Sequence, residues 1–163
     1  MAKPRTQARR YAVLALYQWH LMGETPVQIA QQFYDDPQWI AALEEELRDA
    51  PADHSECSND KGGSAHPEYA VQLFDSLLRG VPEQIEAIDN ALQPALDRSL
   101  KSIDPVERVI LSIGVYELLF SPELPAAVVI NEAVDLAKLF GAEQGHRYIN
   151  GVLDRVARQM RKA

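Results

Sequence analysis

Apolar residues recur at three- and four-residue steps along most of this chain, and no stretch shows the strict alternation of a half-buried strand. The first run spans about Arg5 to Met22, with Ala8, Tyr11, Ala15, Trp19 and Met22 on one face of a helix. Thr25-Pro26-Val27-Gln28 then supplies a capping hydroxyl, a proline at the first helical position and a glutamine three residues after the cap, which predicts a second helix through Ala30 and Phe33. Asp36-Pro37 either kinks that helix or starts a short one carrying Trp39, Ile40 and Leu43. From Glu44 to about His66 the periodicity stops. Acids, Ser, Asn, Gly and Ala take over, so a long loop, expected to be mobile, is assigned to about 48–66.

Helical spacing resumes at about Pro67 and runs to Arg79, with Leu73, Phe74, Leu77 and Leu78 inward and Gly80 expected to end the helix. Pro82 is expected to open the next one, whose Ile85, Ile88, Leu92 and Leu96 keep the step despite Pro94. Asp104-Pro105-Val106-Glu107 gives a cap, an N1 proline and an acid at the third position. The helix behind it, to Phe120, is apolar nearly all round, as the central rod of a bundle must be. Ser121-Pro122-Glu123-Leu124-Pro125 breaks it. One more helix carries Ile130, Ala133, Ala137 and Phe140, and a last one carries Ile149, Val152, Leu153, Val156 and Met160. The predicted fold is all-α, a single globular helical domain of about seven helices.

Charge changes the picture. The net charge is −8, which by itself argues against a polyanionic ligand, yet the cations gather at the ends. Lys3, Arg5, Arg9 and Arg10 stand in the first 22 residues without an acid, and Arg147, Arg155, Arg158, Arg161 and Lys162 stand near the other end against Asp154 alone. If the first and last helices lie side by side, these residues form one basic groove on an anionic body. On the first helix Arg5, Arg9, Val13, Tyr17 and His20 form one row, expected to be exposed. On the last, Arg147, Gly151, Arg155, Arg158 and Lys162 form another, with Tyr148 and Asn150 at its head. Guanidinium groups bind phosphates and aromatic rings stack on unpaired bases, so the two rows suit single-stranded RNA.

Catalytic candidates are weak. His54, Cys57 and His66 lie in the loop without regular ligand spacing, no glycine-rich phosphate loop or nucleophile elbow is present, and Glu117 and Glu132 as an acid/base pair have no supporting motif. No metal, cofactor or catalysis is expected. The run from Val109 to Phe120 is interrupted by Ser112, Gly114 and Glu117 and is too short to cross a bilayer. The polar, basic start has no apolar segment behind it, and Cys57 is the only cysteine. Both features lead to the expectation of a cytoplasmic protein.

The segment from Val106 to Val156 resembles the C-terminal half of the NusB family. The resemblance rests on Val106-Glu107-Arg108-Val109-Ile110-Leu111, Val115-Tyr116-Glu117-Leu118, Val129-Ile130-Asn131-Glu132-Ala133-Val134-Asp135-Leu136-Ala137-Lys138, Phe140-Gly141-Ala142-Glu143 and Asn150-Gly151-Val152-Leu153-Asp154. Arg9-Arg10-Tyr11-Ala12-Val13-Leu14-Ala15-Leu16-Tyr17-Gln18-Trp19 is similar to the family's first helix. The resemblance implies two packed three-helix-type subdomains, about 1–80 and 81–163. It also implies an RNA-binding adaptor in transcription antitermination that binds the single-stranded boxA element together with NusE, a small-subunit ribosomal protein. The complex it joins contains RNA polymerase and other Nus factors, notably on ribosomal RNA operons. By resemblance, boxA falls on Lys3, Arg5, Arg9, Arg10, Tyr17, His20, Gln144, His146, Arg147, Tyr148, Asn150 and Arg155, and NusE on Glu107, Tyr116, Glu117 and Glu132. Gln144 stands where many family members carry an acid. Two other readings stay open, a helical protein-interaction module without RNA binding and a detached N-terminal domain of a ribosomal RNA methyltransferase.

Overall fold

The computed structural model describes residues 3–35, 70–140 and 145–161. The expected loop at 48–66, the short helix around Trp39, and His54, Cys57, His66, Gln144 and Lys162 lie outside the described residues. Among the described residues there are seven α-helices: α1 (Pro4–Met22), α2 (Pro26–Asp35), α3 (Val71–Glu83), α4 (Ile85–Leu92), α5 (Pro105–Phe120), α6 (Ala126–Phe140) and α7 (Gly145–Met160). Two 3-10 turns, Gln93–Ala95 and Leu100–Ser102, lie in the connection before α5.

The helix ends follow local chemistry. Gly23 closes α1 in the left-handed region at φ 70°, its N–H on the Trp19 carbonyl, a conformation that costs a side-chain-bearing residue energy. Thr25 and Gln28 form a reciprocal capping pair, Gln28 N–H to Thr25 Oγ1 at 3.3 Å and Thr25 N–H to Gln28 Oε1 at 3.1 Å, so α2 starts at Pro26. Asp104 Oδ1 accepts from the Val106 and Glu107 N–H groups at 2.9 and 3.4 Å and starts α5. Arg161 closes the far end of α5 by donating to the carbonyls of Glu117, Leu118, Ser121 and Leu124, adding to the backbone bonds that Glu117 and Ser121 already accept from the Ser121 and Leu124 N–H groups.

One boundary differs from expectation. Gly80 does not end a helix and Pro82 does not begin one, because α3 runs through both to Glu83 and the Gln84 N–H closes it on the Gly80 carbonyl. The glycine serves packing instead. It is buried beneath Tyr116, whose ring and hydroxyl occupy the space a Cβ would need.

α5 is the centre. α1, α3, α4, α6 and α7 all pack on it, while α1, α2 and α3 also pack on one another. Val106, Val109, Ile110, Leu111, Ile113, Val115 and Leu118 are buried around its circumference, which explains why its sequence shows no polar face. Coverage on every side has a consequence for the termini. α1 and α7 are not packed side by side as the charge pattern suggested. Each lies against α5, and α6 touches both. α7 comes close to α5 where Gly114 faces Leu153, and a Cβ there would stand 2.8 Å from the Leu153 Cδ1. Gly114→Ala is therefore expected to lower stability by about 1–3 kcal/mol through overpacking, read as a lower urea midpoint at an unchanged m-value.

Candidate nucleic-acid interface

The predicted row on α1 is broken by burial. Arg5 and His20 are exposed and Tyr17 half-buried, but Val13 is fully buried and Arg9 is only 2% exposed. Arg9 donates from Nε and Nη2 to the two carboxylate oxygens of Glu117, both at 2.8 Å, and its Nη1 stands 3.9 Å from Glu132 Oε2. Thr6 Oγ1 donates to Glu132 Oε1 at 3.1 Å. Burial alone would lower the Arg9 pKa, but hydrogen bonding and charge from Glu117, with the charge of Glu132, outweigh it and raise the value.

Two expectations are thereby corrected. Arg9 is not an exposed RNA contact and Glu117 is not a surface acid. They form a forked ion pair sealed among α1, α5 and α6. The reason is geometric: α5 is covered all round, so a carboxylate in its fourth turn must meet a cation or remain unpaired. Glu132, on α6, is half-buried beside them.

The head of α7 keeps the character the sequence suggested. Arg147 and Asn150 are exposed, and His146 and Tyr148 half-buried. Arg155, on the same face, reaches the Ala95 carbonyl with Nη1 at 2.7 Å and ties the 93–102 connection to α7. Arg158 pairs with Asp154 at 3.1 Å in solvent, an arrangement worth little. Lys3 and Arg5 are exposed at the start of α1, and Arg10 is half-buried.

The two surfaces assigned by resemblance meet at Glu107. Its carboxylate lies against Gly145, the first residue of α7, in the space a Cβ would take, one turn from Tyr148. Burial first, and the neighbouring Asp104 second, push the Glu107 carboxyl above its usual range, while Arg98 pulls it back. Tyr116, the remaining expected partner residue, is half-buried over Gly80 with its ring 5.1 Å from that of Phe120. His20 borders a cleft with Leu16, Trp19, Val81, Ile85, Arg108, Val109 and Ser112. Burial first, and Arg108 second, lower its pKa, against the pull of Asp89.

Sequence reasoning missed Arg98. It lies in the non-helical connection, where no periodicity marks a face, yet its guanidinium stands 4.5 Å from the Tyr148 ring centroid. No group of three or more His, Cys, Asp or Glu that could hold a metal occurs among the described residues, and no helix there is long and apolar enough to cross a membrane.

Among the described residues the regular structure is helical throughout, and exposed cations and an amide stand beside half-buried rings at the head of α7, an arrangement found in helical modules that bind nucleic acids and proteins. This chain belongs to the NusB family, whose model matches residues 6–158. It is 42% identical to the transcription antitermination protein NusB of Nitrosococcus oceani, covering 99% of this chain and 90% of the relative. It is 38% identical to that of Methylococcus capsulatus, over 99% and 95%. A crystal structure of the antitermination factors NusB and NusE in complex with dsRNA matches it at a TM-score of 0.69 and 26% identity, over 98% of this chain and 99% of that one. T. maritima NusB matches at 0.62 and 28%, over 98% and 94%.

Removing the Arg9 side chain leaves Glu117 buried and unpaired. Arg9→Ala is accordingly expected to cost about 3–5 kcal/mol in urea denaturation, with Arg9→Met/Glu117→Leu recovering most of the loss. A near-neutral Arg9→Ala would show that the pair contributes little to the fold.

Proposed function

We propose that this chain is a non-catalytic, cytoplasmic RNA-binding adaptor of transcription antitermination. It binds boxA-type single-stranded RNA together with NusE and joins the antitermination complex of RNA polymerase with other Nus factors, notably on ribosomal RNA operons. The observation that carries this reading is the match of nearly the whole chain to NusB proteins, one of them solved with NusE and RNA. The exposed cations at the start of α1 and the head of α7, with the half-buried rings of His146 and Tyr148, support it, since phosphates and unpaired bases need such groups.

The RNA contacts are assigned to Lys3, Arg5, Arg10, Tyr17 and His20 from α1 and its approach, and to Gln144, His146, Arg147, Tyr148, Asn150 and Arg155 from α7 and its approach. Arg9 acts from inside, holding α1 on α5 and α6 so that its neighbours are correctly placed. Glu107, Tyr116 and Glu132 are assigned to NusE, a ribosomal protein expected to be basic, which an anionic body suits. Glu117 supports that face through Arg9.

A gel shift with boxA-type RNA, single- and double-stranded, with and without NusE and over a range of salt, tests the reading. Single-stranded binding should be strongest with NusE, and the logarithm of the association constant should fall linearly with that of salt. Absence of salt-dependent binding in the presence of NusE overturns it in favour of a protein-interaction module. Arg147→Ala should weaken binding and reduce the salt slope by about 0.7, the value for one phosphate on a single strand, while the urea midpoint stays at that of the unsubstituted chain.

A further inference from the structure

We propose that Arg98 belongs to the RNA site, its guanidinium carrying a nucleobase on the side opposite Tyr148 and so extending a stack that the fold has already assembled. The inference rests on the RNA-binding reading above and adds a residue and a mode of recognition to it.

Three observations carry it. The connection that holds Arg98 is anchored to α7 by the Arg155 bond to the Ala95 carbonyl, so Arg98 belongs spatially to the head of α7 although it precedes that helix by almost fifty residues. Its guanidinium is 4.5 Å from the centroid of the Tyr148 ring, and Asp97 Oδ1 holds both partners, accepting from Arg98 Nε at 3.1 Å and from the Tyr148 hydroxyl at 3.4 Å. The Arg98 side chain is nonetheless 51% exposed, so the stacked pair is open to solvent rather than closed over.

The path of a strand continues from there. Gly151 and Arg155 follow Tyr148 at three and seven residues on one helix face. A Cβ at Gly151 would meet only Arg155 Nη2, at 3.9 Å, so the bare backbone leaves a shallow gap between the stacked pair and the next cation. Asn150 is exposed at the head of the same helix.

The chemistry selects a base rather than a bare phosphate. A guanidinium is planar and weakly hydrated, and it stacks on π-faces, which an ammonium does not do. Bases offer such faces whatever their identity, and stacking on a ring or guanidinium plane is how unpaired RNA is held. A side chain already fixed against Tyr148 loses less rotamer freedom on binding than a free one. Asp97 both helps and hinders: it orients the pair, and it places a carboxylate where the RNA backbone must pass. The alternative is an isolated surface cation–π pair with no ligand, which contributes only slightly to the fold.

The test uses the full chain with NusE and a boxA-type single-stranded RNA at fixed salt. Arg98→Ala should weaken binding by about 10-fold, the scale of one lost stacking contact. Arg98→Lys should restore the salt slope while recovering well under half of the affinity, and Asp97→Asn should tighten binding by about two- to three-fold. In a Tyr148→Ala background the Arg98→Ala effect should shrink several-fold, since the stack is gone. Unchanged urea midpoints confirm that the variants are folded. Arg98→Ala binding within twofold of the unsubstituted chain overturns the proposal, and a fully active Arg98→Lys overturns the stacking mode by reducing Arg98 to a point charge. Failure of the unsubstituted chain to bind with NusE present is a different result, which overturns the RNA-binding reading itself.

Discussion

The fold turns on one charge placed where water does not reach. Glu117 stands in α5, a helix packed by five others, and its carboxylate is 2% exposed. A lone ionised carboxylate in such a place costs several kcal/mol. Arg9 offsets that cost by a two-point hydrogen bond, and only a helix crossing α5 at that level can deliver it. The pair therefore fixes the position of α1 against α5 and, through Glu132 and Thr6, against α6.

Much of the surface follows from that arrangement. With Arg9 facing inward, the cations to either side of it on α1, Arg5 and Arg10, retain access to solvent, fully for one and partly for the other. The acids that the resemblance assigns to a protein partner divide. Glu117 is structural, Glu132 is shared between the network and the surface, and Glu107 abuts the head of α7. The RNA-binding and partner-binding assignments thus touch at Glu107, whose carboxylate lies against Gly145, instead of occupying separate faces.

The termini do not form the single groove that charge alone suggested. A rod that is apolar on every side draws helices to every side, and α1 and α7 take different flanks. Part of the basic α7 end is also spent on structure: Arg155 holds the 93–102 connection and Arg161 caps α5. The surface proposed for nucleic acid is more local, with Arg147, Tyr148 and Asn150 at one helix head and Arg98 brought to them by the connection.

Local, short-range chemistry was readable from the sequence. Periodicity gave the seven helices, Thr25/Gln28 and Asp104 gave two starts, and the largely apolar run at 109–120 gave the central helix, because each depends on residues within a turn or two. Helical spacing also named the right faces of α7, since Ile149, Val152 and Val156 are buried and Arg147 and Arg155 exposed. It failed on α1, where spacing marks Arg9 and Val13 as one stripe but cannot tell how many neighbours a helix will have. It failed at Gly80, where the reason for glycine is a tyrosine thirty-six residues away. Whether an arginine faces solvent, a carboxylate or a tyrosine ring is decided by elements distant in sequence. Only the packed structure sets those distances, and electrostatics and stacking act over a few ångströms of space, whatever the separation along the chain.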